Sequence, residues 1–417
     1  MNAAGIERGA LSSSGRPKDA PAAGRALAAR ALFINSGILG HRAVAGLLRE
    51  TVGLMRTVDA THIDLSRDLT IGDRIIRRLA SVPLTPRTGV AGNLDLRRWR
   101  QELNVGLLAR RRMAAAERHG AFDLLHFHTQ AAAYASVARM RRTPSIVSID
   151  ATQHLASREA GSSLARLSYR PNILHDGLVF SEAGAIVATS DWAARDLVTH
   201  RPECAGKVNV MPYPVHACLD AAWIRERFMR AGNQTHRSVR VLFMGGDFPR
   251  KGGPDLLDAW REGGFADRAA LDLVTDWPLA AARMPPGVSC IRGIGPNTRE
   301  WLDLWRQADL FVMPTRHEAF GMVFQEAAAA GLPVVATNIN AIPEIVQEQQ
   351  TGILVPPGDR RGLVQAMRTL IDSPDLRLRM GTAAFDRIRV LGAPERYASR
   401  LEAIIHQLLE AHGLSRP

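Results

Sequence analysis

The chain has 417 residues, which suggests two or three domains of about 150 residues each. Its 46% hydrophobic content is typical of a globular protein, and it contains no run of about 18 apolar residues that would span a membrane. The net charge is +12 and all but three basic residues are arginines, so the surface should attract phosphates, nucleotides and anionic lipids. The cysteines Cys204, Cys218 and Cys290 lack metal-ligand spacing, which argues against a disulfide framework and fits a reducing cytoplasm.

The first half of the chain has the pattern of alternating strands and helices. Residues 1–30 are rich in Ala, Gly, Ser and Arg without apolar periodicity, and they lack the apolar core of a signal peptide, so a disordered lead-in is predicted. Ser190 or Asp191 is predicted to cap a helix. Apolar runs that end in polar turns predict strands at residues 31–36, 122–130, 144–154, the start of 184–198, and 208–215.

Gly37 and Gly40 follow the first predicted strand and let the backbone turn sharply into a helix. The pattern is not GxGxxG, so dinucleotide binding by this loop is not expected. A tight turn is all that these residues require by themselves.

Residues 71–118 form a basic segment with helix-like character, in which Arg is mixed with Leu, Ile and Trp99. Such helices either lie on an anionic membrane surface or present a solvated face while packing on the sheet. In the next strand, His126 and His128 alternate with Phe127 and point to one face. A metal site there would need a third ligand that the sequence does not supply. His128 lies at the strand end and could reach a cleft, whereas His126 suits a core position.

The second half repeats the alternation of strand and helix. Residues 216–237 are polar and basic and predict a connection between two domains. Strands are predicted at the start of 240–253, at 270–276, at 288–295 and at the start of 308–332. Helices are predicted at 360–372 and 375–388, followed by an amphipathic final helix at 395–412.

Residues 308–332 contain a strand, a loop and a helix that begins at Gly321 and stops at Gly331. Glu318 is on the loop and Glu326 is inside the helix, with seven residues between them. Ligands of doubly wound sheets bind where such strands end. The amides of Gly321 to Val323 direct the positive end of the helix dipole toward that position. Two carboxylates beside an anion site suit a sugar nucleotide, with its hydroxyls on the carboxylates and its phosphates on the amides.

Lys251 is one of only three lysines, and it stands at a predicted helix start after the glycine turn of residues 240–253. An ammonium is a compact charge suited to a phosphate oxygen. The alternative for the Arg250–Lys251 pair is ordinary solvated charge. Because cations at a helix N-terminus oppose its dipole, an anion between them is the more natural arrangement.

The Glu-x7-Glu spacing lies in the segment ADLFVMPTRHEAFGMVFQEAAAAGLPVVAT, which is followed by IPEIV and TGILVPPGD. These motifs resemble those of the retaining, nucleotide-sugar glycosyltransferases of family 4. The likeness is dense over about residues 238–360 and thinner back to residue 31. Without the flanking motifs, the two glutamates would fit any α/β protein.

The resemblance implies the GT-B fold, an α/β architecture of two Rossmann-like, doubly wound domains that face each other across a cleft. Residues 31–215 would form the acceptor domain and 238–390 the nucleotide-sugar domain, joined by the linker 216–237. Residues 391–417 would form a helix that crosses back to the first domain.

The same resemblance assigns the donor site. The diphosphate would lie between Lys251, with Arg250 as a candidate second cation, and the leading amides of the helix. Glu318 would bind sugar hydroxyls and Glu326 the ribose diol. The donor-binding residues implied are Arg250, Lys251, Glu318, Phe320, Gly321, Met322, Val323 and Glu326.

The acceptor side departs from the family pattern. The loop of Gly37 and Gly40 resembles the glycine loop that faces donor and acceptor. The strand within 144–154 commonly ends in His or His-Asp in the family, whereas Asp150 stands here, and it becomes the candidate to hold the acceptor hydroxyl. The alternative is that Asp150 caps the next turn. Asn338 and Asn340 replace a Gly-Gly loop that often contacts the sugar.

The implied reaction moves a sugar, expected to be a hexose, from a UDP- or GDP-sugar to a hydroxyl with retention of configuration. Glu318, Lys251 and Asp150 are the expected catalytic residues, and no protein nucleophile is required. The sequence has no DxD motif in the right context, so neither a metal nor a cofactor beyond the nucleotide sugar is expected.

The expected partners are the nucleotide sugar and a glycan, glycolipid or small-metabolite acceptor, in the cytoplasm or at the inner face of the plasma membrane through residues 71–118. Two alternatives stay open, a silent sugar-nucleotide-binding protein and a sugar-nucleotide epimerase of similar architecture. A nucleic-acid-binding role would rest on net charge alone, since interleaved aromatic residues are lacking.

Overall fold

The computed structural model describes residues 29–36, 41–67, 69–84, 95–215, 221–231, 238–280 and 284–414. These residues form two parallel sheets of six strands each, flanked by helices, which confirms the predicted α/β architecture. The strands of the first sheet are β1 (Ala29–Asn35), β2 (Val58–Asp64), β3 (Leu124–His128), β4 (Ser145–Ile149), β5 (Ala185–Ala188) and β6 (Val208–Val210). Those of the second are β7 (Val239–Met244), β8 (Ala269–Val274), β9 (Val288–Ile291), β10 (Leu310–Met313), β11 (Val334–Thr337) and β12 (Gly352–Val355).

The order of the strands places one reversal point in each sheet. The first sheet runs β2-β1-β3-β4-β5-β6 and the second runs β12-β11-β10-β7-β8-β9. In each sheet the chain adds strands first on one side of the first strand and then on the other, so its direction reverses between β1 and β3 and between β7 and β10. In open parallel sheets the crevice at the carboxyl ends of such a pair is where ligands bind.

The central strands are buried on both faces. Every residue of β3, β4, β10 and β11 is buried. Helices cover parallel sheets on both sides, so such strands consist of continuous apolar runs rather than alternating ones. This is why the runs within 122–130, 144–154 and 308–332 were recognisable as strands.

Two details at the edge of the first sheet differ from the prediction. β2 was not predicted, because it is an edge strand of half-buried, polar composition that has no continuous apolar run. β1 begins at Ala29, inside the predicted disordered segment 1–30, because Ala29 and Arg30 pair in register with Val58 and Asp59 of β2.

Helices connect the strands in both halves. Those of the first half are α1 (His41–Val52), α2 (Ile71–Ser81), α3 (Arg97–Glu117), α4 (Gln130–Ala133), α5 (Val137–Met140), α6 (Gln153–Arg158), α7 (Ser163–Leu167), α8 (Arg170–Glu182) and α9 (Asp191–His200). Those that follow are α10 (Ala221–Ala231), α11 (Gly253–Gly263), α12 (Arg299–Gln307), α13 (Met322–Ala329), α14 (Ile342–Ile345), α15 (Arg360–Asp372), α16 (Pro374–Leu391) and α17 (Pro394–Ala411). Over the described part of the chain, none of these helices has the length and apolar content that crossing a bilayer demands.

The predicted linker 216–237 contains helix α10, so it is not simply an extended connection. Ile224 of α10 is buried in the core of the second half. Arg227 donates to the carbonyl oxygens of Ala308 and Trp305, each at 2.6 Å. These contacts attach α10 to the second half of the chain.

Helix α17 packs on the first half of the chain, although it comes last in the sequence. Leu401 is fully buried in a cluster that also contains Phe33 of β1. Glu402 accepts hydrogen bonds from the amides of Arg56 at 2.9 Å and Thr57 at 2.7 Å. The end of the chain is thereby held against the turn that precedes β2.

Candidate functional site

Lys251 and Glu318 meet at the reversal point of the second sheet. Lys251 follows β7 and Glu318 follows β10, and these two strands are hydrogen-bonded neighbours. The Lys251 ammonium donates to Oε2 of Glu318 in an ion pair whose side chains are only 15% and 14% exposed. The sheet order thus joins two residues that are 67 positions apart in the sequence.

A close approach of two loops holds this ion pair together. Gly252 has φ +76°, and a Cβ built on it would lie 1.8 Å from the carbonyl oxygen of Pro314. Only glycine fits both the backbone angle and this distance. The amide of Arg316 also donates to the carbonyl of Arg250 at 2.9 Å.

Arg250 connects these loops through hydrogen bonds. Its Nε donates to Asp247 at 3.1 Å, and a terminal nitrogen donates to the carbonyl of His317 at 2.8 Å. These two bonds engage the guanidinium, so the geometry favours a supporting role over the predicted phosphate contact.

The N-terminus of α13 faces the same position. Gly321 is its N-cap with φ +91°, a conformation that favours glycine, and a Cβ there would lie 2.7 Å from the Phe324 ring and 3.2 Å from Cγ of Glu318. No described side chain caps the amides that follow, at Met322 and Val323. The positive end of the helix dipole is therefore available to an anion beside Glu318.

Glu326 lies one turn further along α13 and is half-buried. Burial raises its pKa from 4.5 to about 7, and the charge of Lys251 acts in the opposite direction. The carboxyl group is therefore near the ammonium but lacks the hydrogen bonds that would fully stabilise its ionised form. Two carboxyl groups and one ammonium therefore lie close together at this position.

The side chain of Phe320 belongs to the core between the two halves. It is 4% exposed and packs edge-on against Tyr213, with ring centroids 5.5 Å apart. The carbonyl of Tyr213 accepts a hydrogen bond from Gln325 at 3.1 Å. Phe320 can therefore reach a ligand only through its backbone, while its ring fixes the position of the loop.

His128 does not reach a cleft, which corrects the prediction made from its place at the end of β3. It is 1% exposed, and its Nε2 lies 3.0 Å from the hydroxyl of Tyr213, which covers it. His126 is a core residue, as expected. It contacts Ser148 at 2.8 Å, and burial together with the nearby His62 lowers its pKa to about 3.

Asp150 lies at the carboxyl end of β4 and lines a cavity of about 520 Å³ in the first half. Ser36, Gln153 and Glu102 line the same cavity, and Ala319 of the second half forms part of its wall. The residue next to Glu318 thus borders the space that Asp150 faces. Gly37 and Gly40, the predicted glycine loop, lie outside the described residues.

A polar bridge over this region was not predicted. Asn340 has φ +50°, a left-handed conformation that asparagine tolerates, which explains how it can occupy a loop where glycine is usual. Its amide donates to Glu159 of the first half at 3.0 Å and to the carbonyl of Glu318 at 2.9 Å. His317 also lies 3.6 Å from Glu159. The replaced glycines were a signal for Asn340, but nothing in the sequence marked Glu159.

Comparisons with known proteins identify the family of the segment that contains this site. Residues 238–373 match the family model described as Glycosyl transferases group 1, and this segment contains Lys251, Glu318 and Glu326. Residues 238–373 therefore belong to the group 1 glycosyltransferases. Such enzymes transfer a sugar from a nucleotide sugar, and the match confirms the predicted family and enzyme class.

The glycosyltransferase is similar to curated and solved proteins over most of its length. It is 28% identical to a glycogen synthase of Mycobacterium tuberculosis over 346 residues, or 80% of this chain and 79% of the relative. A sucrose-phosphate synthase of Thermosynechococcus elongatus has the same fold, with a TM-score of 0.66 and 17% identity over 92% of this chain and all of that one. HepE of Anabaena, solved with UDP-glucose, gives a TM-score of 0.61 and 16% identity over 92% and 99% of the two chains. These structures confirm the two-domain GT-B fold of the glycosyltransferase.

Proposed function

We propose that this glycosyltransferase moves a sugar from a UDP- or GDP-sugar to a hydroxyl acceptor and retains the configuration at the anomeric carbon. The observation that carries the proposal is the convergence of Lys251, Glu318, Glu326 and the first amides of α13 at the β7/β10 reversal point. One cation, an uncapped helix N-terminus and two acids together match a diphosphate flanked by hydroxyl groups.

In this proposal the donor changes the partner of Lys251. The ammonium pairs with Glu318 in the structure. A diphosphate competes for that ammonium with more negative charge, and the amides of Gly321 to Val323 bind it from the helix side. Glu318 is then released to accept hydrogen bonds from sugar hydroxyls. Glu326 accepts from the ribose diol, a role that requires its ionised form.

The chemical step follows from where charge develops. As the bond between the anomeric carbon and the phosphate oxygen breaks, negative charge grows on the diphosphate, where Lys251 and the helix amides are already oriented. The acceptor oxygen forms the new bond on the same face, and its proton passes to a phosphate oxygen. Asp150 holds the acceptor hydroxyl from the first half. No protein nucleophile takes part.

UDP-glucose is the first donor to test, because HepE was solved with it. The assay incubates the full chain with labelled UDP- and GDP-sugars and separates the products. Transfer to an added acceptor, or slow release of free sugar, supports the proposal. An isomerised nucleotide sugar would identify an epimerase, and binding without turnover would identify a silent binding protein.

We further propose that α2 places the enzyme on an anionic membrane, so that the acceptor is lipid-linked. Ile71, Ile75 and Leu79 recur every four residues along α2 and are 74%, 52% and 62% exposed. Arg74 and Arg78 lie between them. An apolar stripe flanked by arginines is typical of a helix at a lipid surface.

The orientation of α2 is fixed from its other side. Asp73 is 6% exposed and forms an ion pair with Arg111 of α3, so the apolar stripe faces outward. Arg77 of α2 lines the cavity that also contains Asp150. A lipid headgroup held against α2 would therefore present its hydroxyl near that cavity.

Co-sedimentation with vesicles tests this contact. Vesicles of phosphatidylglycerol should retain the protein, and vesicles of phosphatidylcholine should retain much less. The double substitution I75E/L79E should abolish retention. Leu174→Glu is the matched control, since Leu174 is 65% exposed on α8, away from the stripe. Equal retention of I75E/L79E and wild type would contradict the proposal.

A further inference from the structure

Two histidines and one aspartate converge where α6 meets α9. Nδ1 of His154 lies 2.9 Å from Oδ1 of Asp196, and Nδ1 of His200 lies 3.5 Å from the same oxygen. The two imidazole rings are 3.6 Å apart between centroids and tilted by 38°. Their possible ligand atoms all lie within 4.8 Å of one another.

The carboxylate at the centre of this cluster is rigidly held. The hydroxyl of Thr152 donates to Oδ2 of Asp196 and accepts from the amide of Leu155 at 3.1 Å. Oδ1 is thereby left to the histidines. The Asp196 side chain is 5% exposed, whereas His154 and His200 are 31% and 44% exposed. One side of the cluster is therefore accessible to solvent.

We propose that His154, Asp196 and His200 form a binding site for a divalent transition metal, with Zn²⁺ as the first candidate. Two imidazoles and a carboxylate are a common three-residue ligand set for zinc, and water supplies the fourth ligand. Ligand atoms about 2.0–2.2 Å from a tetrahedral ion are separated by about 3.3 Å. The measured distances of 2.9 and 3.5 Å lie on either side of that value.

The chemistry of the three groups also favours a cation. Nδ1 of His154 faces Oδ1 of Asp196, and Nδ1 of His200 lies 2.9 Å from the backbone carbonyl of Asp196. Both oxygens only accept hydrogen bonds, so each Nδ1 must carry a proton. A divalent ion can replace those two protons and compensate all three groups at once. The hydroxyl of Thr152, bonded to the outer oxygen of Asp196, orients the carboxylate as outer-shell groups do in metal sites.

This site lies in the first half of the enzyme, apart from Lys251 and the two glutamates, and no step of sugar transfer passes through it. It would join α6 to α9. Gln153 of α6 lines the cavity that Asp150 faces. Glu344 of the second half accepts from the amide of Asp191 at the start of α9, at 2.7 Å. A bound ion would therefore stiffen a wall of the acceptor cavity.

The test is a calorimetric titration of the metal-stripped full chain with ZnCl₂, repeated with Co²⁺ by absorption spectroscopy. Wild type should bind one ion per chain, and Co²⁺ should produce ligand-field bands. His154→Gln and His200→Gln should each weaken binding by about tenfold or more, at least as much as loss of an outer-shell partner does. Both side chains are partly exposed, so these variants are expected to fold.

His412→Gln is the matched control. Its Nδ1 donates to the carbonyl of Leu408, four residues earlier, at 2.7 Å, just as Nδ1 of His200 donates to the carbonyl of Asp196 at 2.9 Å. The control should bind Zn²⁺ as wild type does. Absence of one-to-one binding by wild type would overturn the proposal, and so would binding that both His154→Gln and His200→Gln leave unchanged.

Discussion

Replacing Gly252 by alanine should damage both the stability of the second half and its proposed donor site. Gly252 follows Lys251 directly, and its φ of +76° lies in the left-handed region. The added Cβ would stand 1.8 Å from the carbonyl oxygen of Pro314 and 2.5 Å from its carbon. Both are backbone atoms, so the β7 and β10 loops must separate to admit the methyl group.

The magnitude follows from two separable costs. Placing a residue other than glycine in the left-handed region costs about 1–2 kcal/mol. Forcing a methyl group into a packed position costs about 1–3 kcal/mol more. Gly264 provides the matched comparison, because it has φ +60° but nothing within 4 Å of its Cβ position. Gly264→Ala should therefore show the first cost alone, and the entropy that each substitution removes from the unfolded chain cancels between them.

Urea unfolding followed by tryptophan fluorescence measures the difference, since Trp260, Trp301 and Trp305 are buried in the core of the second half. With a slope of about 2 kcal/mol per molar, the steric cost should lower the midpoint of Gly252→Ala by about 0.5–1.5 M below that of Gly264→Ala. Gly252→Ala should also lose activity with a nucleotide sugar. Equal midpoints for the two variants would refute the claim that this contact brings Lys251 to Glu318.

Three further predictions test individual side chains. Lys251→Met should lower kcat/KM by about 10²- to 10³-fold, as loss of one oriented donor to a developing anion does, while Lys207→Met serves as the lysine control and should change little. Burial raises the pKa of Glu326 from 4.5 to about 7, so its ionised carboxyl destabilises the fold and the stability of the wild type should fall as pH rises across that range. Glu326→Gln should remove this loss of stability, which urea midpoints measured below and above the range will show. Burial opposes ionisation of Glu402, but hydrogen bonds from Thr57 and Arg56 outweigh it and lower the pKa below 4.5, so Glu402 contributes to stability at neutral pH and this contribution is lost in acid. Glu402→Gln should therefore lower the urea midpoint at neutral pH and change it less in acid.

The strands and helix of the proposed donor site were predictable because their sequence signals are local. Apolar runs marked β7 and β10, and Gly321 and Gly331 marked the limits of the helix that follows β10. The structure places Lys251 beside Glu318 in an ion pair that the sequence did not predict. Pairing of side chains depends on how closely two loops approach, and no spacing within one segment encodes that.

The first half was less predictable because its functional contacts are distant in sequence. β2 was missed because an edge strand lacks a continuous apolar run, and His128 was placed in a cleft that Tyr213 closes to it. The three groups of the proposed metal site come from α6 and α9, and only the four-residue spacing of Asp196 and His200 gives a local sign of it.

The sequence by itself determined the alternation of strands and helices, the glycine-bounded helix that follows β10, and the family to which its motifs belong. The spacing of apolar residues and the positions of glycines are short-range properties, so they can be recognised within a single segment. Only the tertiary structure decided the order of the strands, and with it which charges meet. Strand order sets the neighbours and the burial of each ionisable group, and desolvation by those neighbours brings the pKa of Glu326 close to neutral.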